Sequence, residues 1–405
     1  MFRKFVFCVI LSIIIFGKAG ELEASDLPEG IENNIIAKDL ANLANGLAFL
    51  PLDQLSKQRD SLKNAYGTQV NLLFRYWNQV VLDGRNARGK DRSSWYYDLQ
   101  IDQSLWKGGS IFLEVEGGRG AGLDKLIPNY SIFDDKNGKF STLYIGRFYA
   151  TQELCDGKLY FLGGRMDFSY IFDTNAVANT ADLQFMSHAL VNNNVIPFPQ
   201  NGMGLVLGAK PFEWMYIDFG AANSNAKSTA IRMERAFKEP FLIAEIGITP
   251  KIGELEGAYR FNYWSTRKSL EKIDGAGTQN GDQGFGLSFD QALTQRLTVF
   301  ARYGLADGHV RDLENFWSCG GDLKNPLPGR NYDVFGVAVA QSINGKDYSS
   351  VNANTGAETM FETYYKIALN KYFYLTPDLQ VLLNPKMNKD NGTALVLGIK
   401  TLLLF

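Results

Sequence analysis

Cysteine, histidine, long apolar runs and excess positive charge are all scarce in this sequence, and each shortage excludes a class of protein. Among 405 residues there are 3 Cys and 2 His. They do not have metal-ligand spacing, and no G-x-S-x-G elbow occurs, so we expect no enzyme, no cofactor and no bound metal. Beyond residue 24 the chain lacks the roughly 20 apolar residues of a transmembrane helix. A formal net charge of −2 argues against nucleic acid, which requires basic patches.

The first residues have the pattern of an export signal. Arg3 and Lys4 precede an apolar run, Phe5 to Phe16, which has the length of a signal-peptide core and is too short to span a bilayer. Cleavage is expected after Ala19 or Ala24. We therefore predict a signal peptide over residues 1–24, with a retained membrane anchor as the alternative.

Two cysteines follow the predicted signal, Cys155 and Cys319. An exported protein meets an oxidising periplasm, where the two thiols could pair. The sequence does not supply the distance that a disulfide requires, so pairing remains open at this point.

Residues 25–66 are predicted to form a helical segment. Apolar residues recur at helical spacing between Ile31 and Leu47, and Pro51 interrupts the pattern. A second short helix is expected from Asp53 to Ala65, ended by Gly67. The segment is interpreted as a lead-in packed on the following domain. The alternatives are a plug, a cap on its periplasmic mouth, or a partner-binding element.

Residues 67–405 alternate apolar and polar side chains with a period of two. In the first such stretch Phe74 and Tyr76 share one face, while Arg75 and Trp77 share the other. A soluble β-sandwich also alternates. Here the segments approach the 9–11 residues that cross a bilayer, and aromatic residues close the apolar face near the ends, as in interfacial girdles. In lipid, strands can pair all their backbone N–H and C=O groups only by forming a closed barrel. We predict an all-β, transmembrane antiparallel barrel.

Chain length sets the size of this barrel. At roughly 21 residues for each strand with its connection, about 340 residues predict about 16 strands. A barrel of this width encloses water, whereas eight strands are filled by side chains.

The last strand is predicted to end at an aromatic residue. Alternate residues from Leu395 to Phe405 are mostly apolar. This pattern resembles the final strand of outer-membrane barrels, whose terminal aromatic is read by the barrel-assembly machinery. We therefore expect that machinery, through Phe405, and outer-membrane lipid as partners.

Several segments occur in a recognisable order between about residue 59 and residue 405. They include Gly163-Gly164-Arg165-Met166-Asp167, Phe172-Asp173-Thr174-Asn175, Ile196-Pro197-Phe198-Pro199, Leu327-Pro328-Gly329-Arg330 and Leu375-Thr376-Pro377-Asp378. Together these segments resemble the carbohydrate-selective porin family, the OprB type. The family's D-W-G-G signature is replaced by Pro51-Leu52-Asp53-Gln54.

The resemblance implies a bacterial outer-membrane porin through which small sugars diffuse passively. It also implies a loop, within Phe172 to Pro199, that folds into the channel, where Asn192, Asn193 and Asn194 could contact solute. Porins of this size often form homotrimers. The alternatives are a general or anion-preferring porin, a barrel enzyme, and a structural barrel tethered through its N-terminal helices.

Solute-contacting residues are expected on the lumen-facing side of the strands and in the family-like segments. Charged groups there would replace hydration hydrogen bonds, and flat aromatic rings would contact the C–H surface of a sugar. The candidates are Arg75, Trp77, Glu114, Glu116, Arg165, Asp167, Arg260, Trp264, Arg302, Arg330, Glu362 and Lys366.

Overall fold

The computed structural model describes residues 52–136, 143–226 and 239–405. The predicted signal peptide and the apolar stretch at residues 31–50 lie outside this part of the chain. Helix α1, Leu52–Tyr66, is the first described element. It matches the second of the two predicted N-terminal helices. Among the described residues, no helix combines the length and apolar character needed to cross a membrane.

Sixteen long strands follow α1 in the described part of the chain. They are β1 Thr68–Asp83, β2 Asp91–Trp106, β3 Gly109–Gly120, β4 Tyr144–Leu154, β5 Leu159–Met166, β6 Gly202–Phe212, β7 Met215–Asn223, β8 Pro240–Ile248, β9 Leu255–Glu271, β10 Thr278–Ala292, β11 Leu297–Ala306, β12 Leu313–Lys324, β13 Val334–Asn344, β14 Glu358–Ala368, β15 Phe373–Leu383 and β16 Thr393–Leu404. A two-residue strand, Lys251–Ile252, pairs only with the beginning of β9. Short helices α2, His188–Val191, and α3, Lys346–Val351, lie in connections, as do four 3₁₀ turns.

The strands form one closed antiparallel barrel. Each strand pairs with its neighbours in sequence, and β1 closes the barrel by pairing with β16. At this seam Arg75 lies opposite Leu402 and Trp77 lies opposite Lys400. Closure gives every strand two hydrogen-bonded neighbours, which removes the unpaired edges that lipid would not tolerate. The predicted barrel of about 16 strands is confirmed.

The period-two pattern separates an outer face from an inner face. Apolar side chains such as Leu207, Phe219 and Val337 point outward and are 52–57% exposed. Alternate residues on the same strands, such as Val206 and Asp218, are buried inside the barrel. This outer apolar face is the surface expected for a barrel surrounded by lipid.

Both chain ends of the barrel lie at one rim. Apart from residues 325–333, the connections at this rim are short turns, and the longest loops lie at the other rim. In outer-membrane barrels these are the periplasmic and extracellular sides, respectively. Phe405 exchanges two backbone hydrogen bonds with Leu72, at 2.9 and 2.8 Å. The Arg59 guanidinium of α1 lies 5.1 Å from the centre of the Phe405 ring. Helix α1 therefore packs beside the seam between β1 and β16.

A hydrophobic core lies inside the barrel, because two loops fold into the lumen. Loop A connects β3 to β4 and is described over residues 121–136. Loop B connects β5 to β6 and comprises residues 167–201. The ring of Phe185 in loop B lies 5.0 Å from Tyr364 and 6.0 Å from Phe300, which both face inward. As the family resemblance implied, the stretch from Phe172 to Pro199 thus lies within the barrel.

The described cysteines, Cys155 and Cys319, are free and exposed. Cys155 lies in the turn between β4 and β5 at the periplasmic rim, and Cys319 lies within β12. The disulfide that the sequence left open is therefore not formed in this structure.

This placement predicts different reactivities for the two thiols in a bilayer. A charged, water-soluble maleimide should label Cys155, because its turn meets water. It should leave Cys319 unmodified, because that side chain points outward from the middle of a strand. Mass spectrometry after labelling in proteoliposomes checks this, with detergent-unfolded protein as the control in which both thiols react. Equal labelling of both in the folded protein would contradict the outward assignment of β12.

Candidate solute path inside the barrel

Arg75 of β1 holds both inserted loops. One guanidinium nitrogen lies 2.5 Å from Asp134 of loop A, and the other lies 3.1 Å from Asp182 of loop B. The Arg75 and Asp134 side chains are fully buried. Burial raises the pKa of Asp134 to about 6, even though Arg75 opposes that shift. Buried charges require such pairing, so this cluster fixes the two loops against β1.

Arg302 of β11 anchors the opposite side of loop B. Its Nε lies 3.0 Å from Asp173, and its terminal nitrogens donate to the carbonyls of Leu190 and Asp173 at 3.1 and 3.0 Å. Asp173 has a left-handed backbone with φ of 57°. Burial raises the pKa of the Asp173 carboxyl to about 6, although the charge of Arg302 acts to lower it. Loop B is thus tied across the lumen from β1 to β11.

Glu362 and Lys366 of β14 bind the backbone of loop B. Glu362 accepts hydrogen bonds from the amides of Met186 and Ser187 at 2.5 and 2.9 Å. Lys366 donates to the carbonyl of Leu183 at 3.2 Å. These wall charges therefore satisfy backbone groups that a loop inside the barrel would otherwise leave unpaired.

The two tryptophans among the candidates face inward but are covered. Trp77 is 1% exposed and packs with Tyr96 and with Met186 of loop B. Trp264 is fully buried in the main core. Neither ring is open to the lumen, so the structure does not support a direct contact between solute and these rings.

An acidic wall lies on β2 and β3 and consists of Asp98, Asp102, Glu114 and Glu116. The strand register places Asp98 opposite Glu116, and Gln100 of β2 opposite Glu114. Gln100 joins the two strands by donating to Asp98 at 2.9 Å and to Glu114 at 3.1 Å. The structure thus brings Glu114 and Glu116, both predicted, together with two carboxyl groups from β2.

Arg147 of β4 lies beside the acidic wall among aromatic rings. Its Nε donates to Glu114 at 2.6 Å, and a second guanidinium nitrogen also binds this carboxylate. The guanidinium carbon lies 4.0 Å from the ring centre of Tyr170 in loop B and 4.9 Å from that of Phe112. Phe112 stacks in turn on Tyr149, with ring centres 5.0 Å apart. Charged and flat aromatic groups are therefore adjacent in this part of the lumen.

Lys136 of loop A extends over the same region. Its ammonium donates to the Tyr170 hydroxyl at 3.0 Å and lies 5.7 Å from the ring centre of Tyr96. Burial by itself would lower the pKa of Lys136, but the phenol and carboxyl groups around it, Tyr170 foremost, raise it above the usual lysine range. Lys136 therefore stays charged and contributes a cation opposite the acidic wall.

A cavity of about 240 Å³ opens beside this charged region, between the extracellular ends of β3 and β4 and the two loops. Its lining includes Glu116, Lys136, Tyr144, Asp167, His188 and Asn192. Two of the predicted residues, Glu116 and Asp167, line it. Asn192 also lines it, whereas Asn193 and Asn194 bind the carbonyls of Tyr303 and Tyr130 and hold loop B in place.

The remaining candidates are dispersed. Arg165 of β5 donates to the carbonyls of Ile145 and Gly146, both at 3.0 Å. Arg260 of β9 pairs with Asp290 at 2.7 Å. Arg330 lies in the periplasmic turn between β12 and β13. It makes two hydrogen bonds there to Asp333, at 2.8 and 2.9 Å. The structure does not bring Arg330 near the acidic wall.

Sequence reasoning did not select several residues of this region. Asp98 and Asp102 were on the polar side of a predicted strand, so their alternation was a usable signal. Arg147 was harder to find, because β3 and β4 change register beside it. Lys136 and Tyr170 lie in loops, where no period exists to show which side chains face the lumen.

A wide antiparallel barrel with an apolar outer face, a charged lumen and loops folded inward defines a channel protein of the outer membrane. The model of the carbohydrate-selective porin, OprB family matches residues 103–405. The chain belongs to this family. It is a family of bacterial outer-membrane channels rather than enzymes, which places this barrel in the outer membrane.

Curated relatives and solved structures agree with this assignment. The chain is 26% identical over 235 residues to Porin AaxA of Chlamydia pneumoniae, covering 57% of this chain and 52% of that protein. It is 25% identical over 233 residues to Porin AaxA of Chlamydia trachomatis serovar L2, covering 57% of this chain and 49% of that protein. The matches thus span about half the length of these relatives.

The fold is that of Pseudomonas putida OprB. Its high-pH structure superposes with a TM-score of 0.77 at 18% identity, covering 87% of this chain and 97% of that one. Its low-pH structure gives a TM-score of 0.58 at 19% identity and the same coverage. At such identities the likeness concerns the fold alone.

Proposed function

We propose that this protein lets small sugars diffuse passively across the outer membrane through the lumen beside the acidic wall. The observation that carries the proposal is the arrangement of carboxylates next to Arg147, Tyr170 and Phe112. Carboxylates accept hydrogen bonds from hydroxyl groups, and Arg147 and Lys136 supply donors. Aromatic faces suit the C–H surface of a sugar. Glu116 and Lys136 line the 240 Å³ cavity, whereas Asp98, Glu114 and Arg147 are at most 7% exposed. A solute would therefore meet few of these groups at once, which favours weak binding and release, as conduction requires.

The charge balance favours neutral solutes over anions. The acidic wall supplies four carboxyl groups, whereas Arg147 and Lys136 supply two cations, and Arg147 is already paired with Glu114. An anionic solute would meet repulsion from the wall. The anion-preferring alternative is therefore disfavoured. A purely structural barrel is disfavoured as well, because inserted loops with a charged path beside them serve no tethering role.

Partners follow from the same proposal. Outer-membrane lipid surrounds the apolar outer face, and the barrel-assembly machinery reads the strand that ends at Phe405. A homotrimer is the assembly that we propose, because porins of this size often adopt it.

Liposome swelling tests the proposed function. Proteoliposomes should admit glucose and maltose faster than protein-free liposomes, and succinate more slowly than either, because of the acidic wall. Arginine in the same series separates a preference for cations from a preference for sugars. Glucose entry no faster than in protein-free liposomes would refute the proposal, and faster entry of succinate than of glucose would favour the anion-preferring alternative.

A further inference from the structure

A second cavity lies at the periplasmic end of the lumen, well separated along the chain from the acidic wall. Its volume is about 870 Å³, within the range of roughly 300–1,000 Å³ that is typical of small-molecule pockets. Ala176 of loop B lines the cavity on the side of the lumen, and the turns after β6 and β8 line another side. The cavity exists because the inward positions at the periplasmic ends of β9, β10 and β11 carry small residues: Ala258, Ala292 and Thr298.

Asp290 of β10 is a buried acidic residue that lines this cavity. It is 5% exposed. Its Oδ2 accepts hydrogen bonds from Arg260 at 2.7 Å and from the amide of Ala176 at 3.3 Å. Among the described residues, Oδ1 accepts none. A carboxylate that is fixed through one oxygen presents the other to the cavity as an oriented acceptor.

Trp214, in the turn between β6 and β7, supplies an aromatic surface to the same cavity. It stacks on Phe212 with ring centres 5.2 Å apart and an interplanar angle of 3°. The backbone carbonyl oxygen of Trp214 accepts a hydrogen bond from the backbone amide of Thr249 at 2.8 Å. This bond joins the turn to the one after β8. Trp214 is 53% exposed, so its indole is both positioned and accessible.

We infer that this cavity is a saccharide-binding subsite at the periplasmic exit, in which Trp214 stacks on the sugar ring and Asp290 accepts a hydrogen bond from a hydroxyl. Lys324 and Glu213 at its edge add a donor and an acceptor. The combination of one aromatic face, one oriented carboxylate and a wide, small-residue wall suits a neutral polyhydroxylated ring. A subsite below the inserted loops would hold a sugar after it has passed them. The inference rests on the proposed function, since it names a second place where the transported sugar binds.

The test is sugar-induced blockade of ion current in planar bilayers, with maltose added to one chamber at a time. Channel orientation is assigned beforehand from maleimide labelling of Cys155, which lies at the periplasmic rim. In the wild type, maltose added on the periplasmic side should block the current with its own association constant. Trp214→Ala should lower that constant about three- to tenfold, the order expected from losing one aromatic contact. Ala292→Phe, which places a ring in the cavity two residues along β10 from Asp290, should also weaken periplasmic-side blockade.

Trp106→Ala is the matched control. Trp106 is an exposed tryptophan at the same rim, at the end of β2, and does not line the cavity. It should leave periplasmic-side blockade unchanged. Unaltered blockade in both Trp214→Ala and Ala292→Phe would overturn the subsite. Failure of the wild-type protein to admit glucose into liposomes would instead overturn the proposed function, so the two results are separable.

Discussion

Replacement of Arg75 by Met should release the inserted loops and widen the channel. The substitution introduces an apolar side chain of similar length and leaves Asp134 and Asp182 buried without the guanidinium that bridges them. Removing one partner of a buried ion pair costs roughly 3–5 kcal/mol, because an uncompensated charge remains. Loops A and B can avoid that cost by moving towards water. We therefore expect higher single-channel conductance and a free energy of unfolding that is lower by about this amount.

Neutralising the two carboxylates as well distinguishes anchoring from general damage. Arg75→Met combined with Asp134→Asn and Asp182→Asn removes the unpaired charges. It should recover most of the stability and lower the conductance again. Arg88→Met, at an exposed arginine in the loop between β1 and β2, is the control and should change neither quantity. A conductance that stays at the wild-type value in Arg75→Met would show that Arg75 does not hold the loops.

Converting the acidic wall to amides should reduce and then reverse the small-ion selectivity of the channel. In the wild type we expect K⁺ to pass more readily than Cl⁻. At roughly 7 Å in water a unit charge contributes about 0.6 kcal/mol, or about threefold in relative permeability. Asp102→Asn with Glu116→Gln should therefore lower the permeability ratio several-fold. Adding Glu114→Gln frees the Arg147 guanidinium from its partner, so the triple variant should prefer anions.

The zero-current potential in a KCl gradient at pH 8 measures this ratio. Total salt near 0.1 M keeps the Debye length at about 10 Å, so that wall charges still act across the path. Asp156→Asn removes one acid from an exposed ion pair with Lys107 in a periplasmic turn and serves as the control. Equal selectivity in the control and the triple variant would place the ion path elsewhere in the lumen.

The inward orientation of the candidate residues on strands was accessible from the sequence, because it depends on local periodicity. In β1 a single alternation decides that Arg75 and Trp77 face inward while Phe74 and Tyr76 face lipid. The same reasoning predicted the inward position of Glu114, Arg260 and Glu362. It could not predict what those side chains meet, because the period of a strand says nothing about the space in front of it.

The role of each inward residue was decided by partners that are distant in sequence. Arg75 and Asp182 are separated by 107 positions, and Glu362 lies 176 positions from Met186. These contacts convert expected solute-facing charges into anchors for loops A and B. They also cover Trp77, which the alternation pattern alone had left open to the lumen.

The sequence by itself determined a membrane barrel, its approximate strand number and the inner face of several strands, since strand geometry and bilayer thickness constrain them locally. The tertiary structure alone decided where the lumen stays open. That outcome depends on how two loops without periodicity satisfy their backbone amides and carbonyls with Arg302, Glu362 and Lys366. No local pattern encodes those pairings, so the path that we propose beside the acidic wall could be located only from the closed barrel with both loops in place.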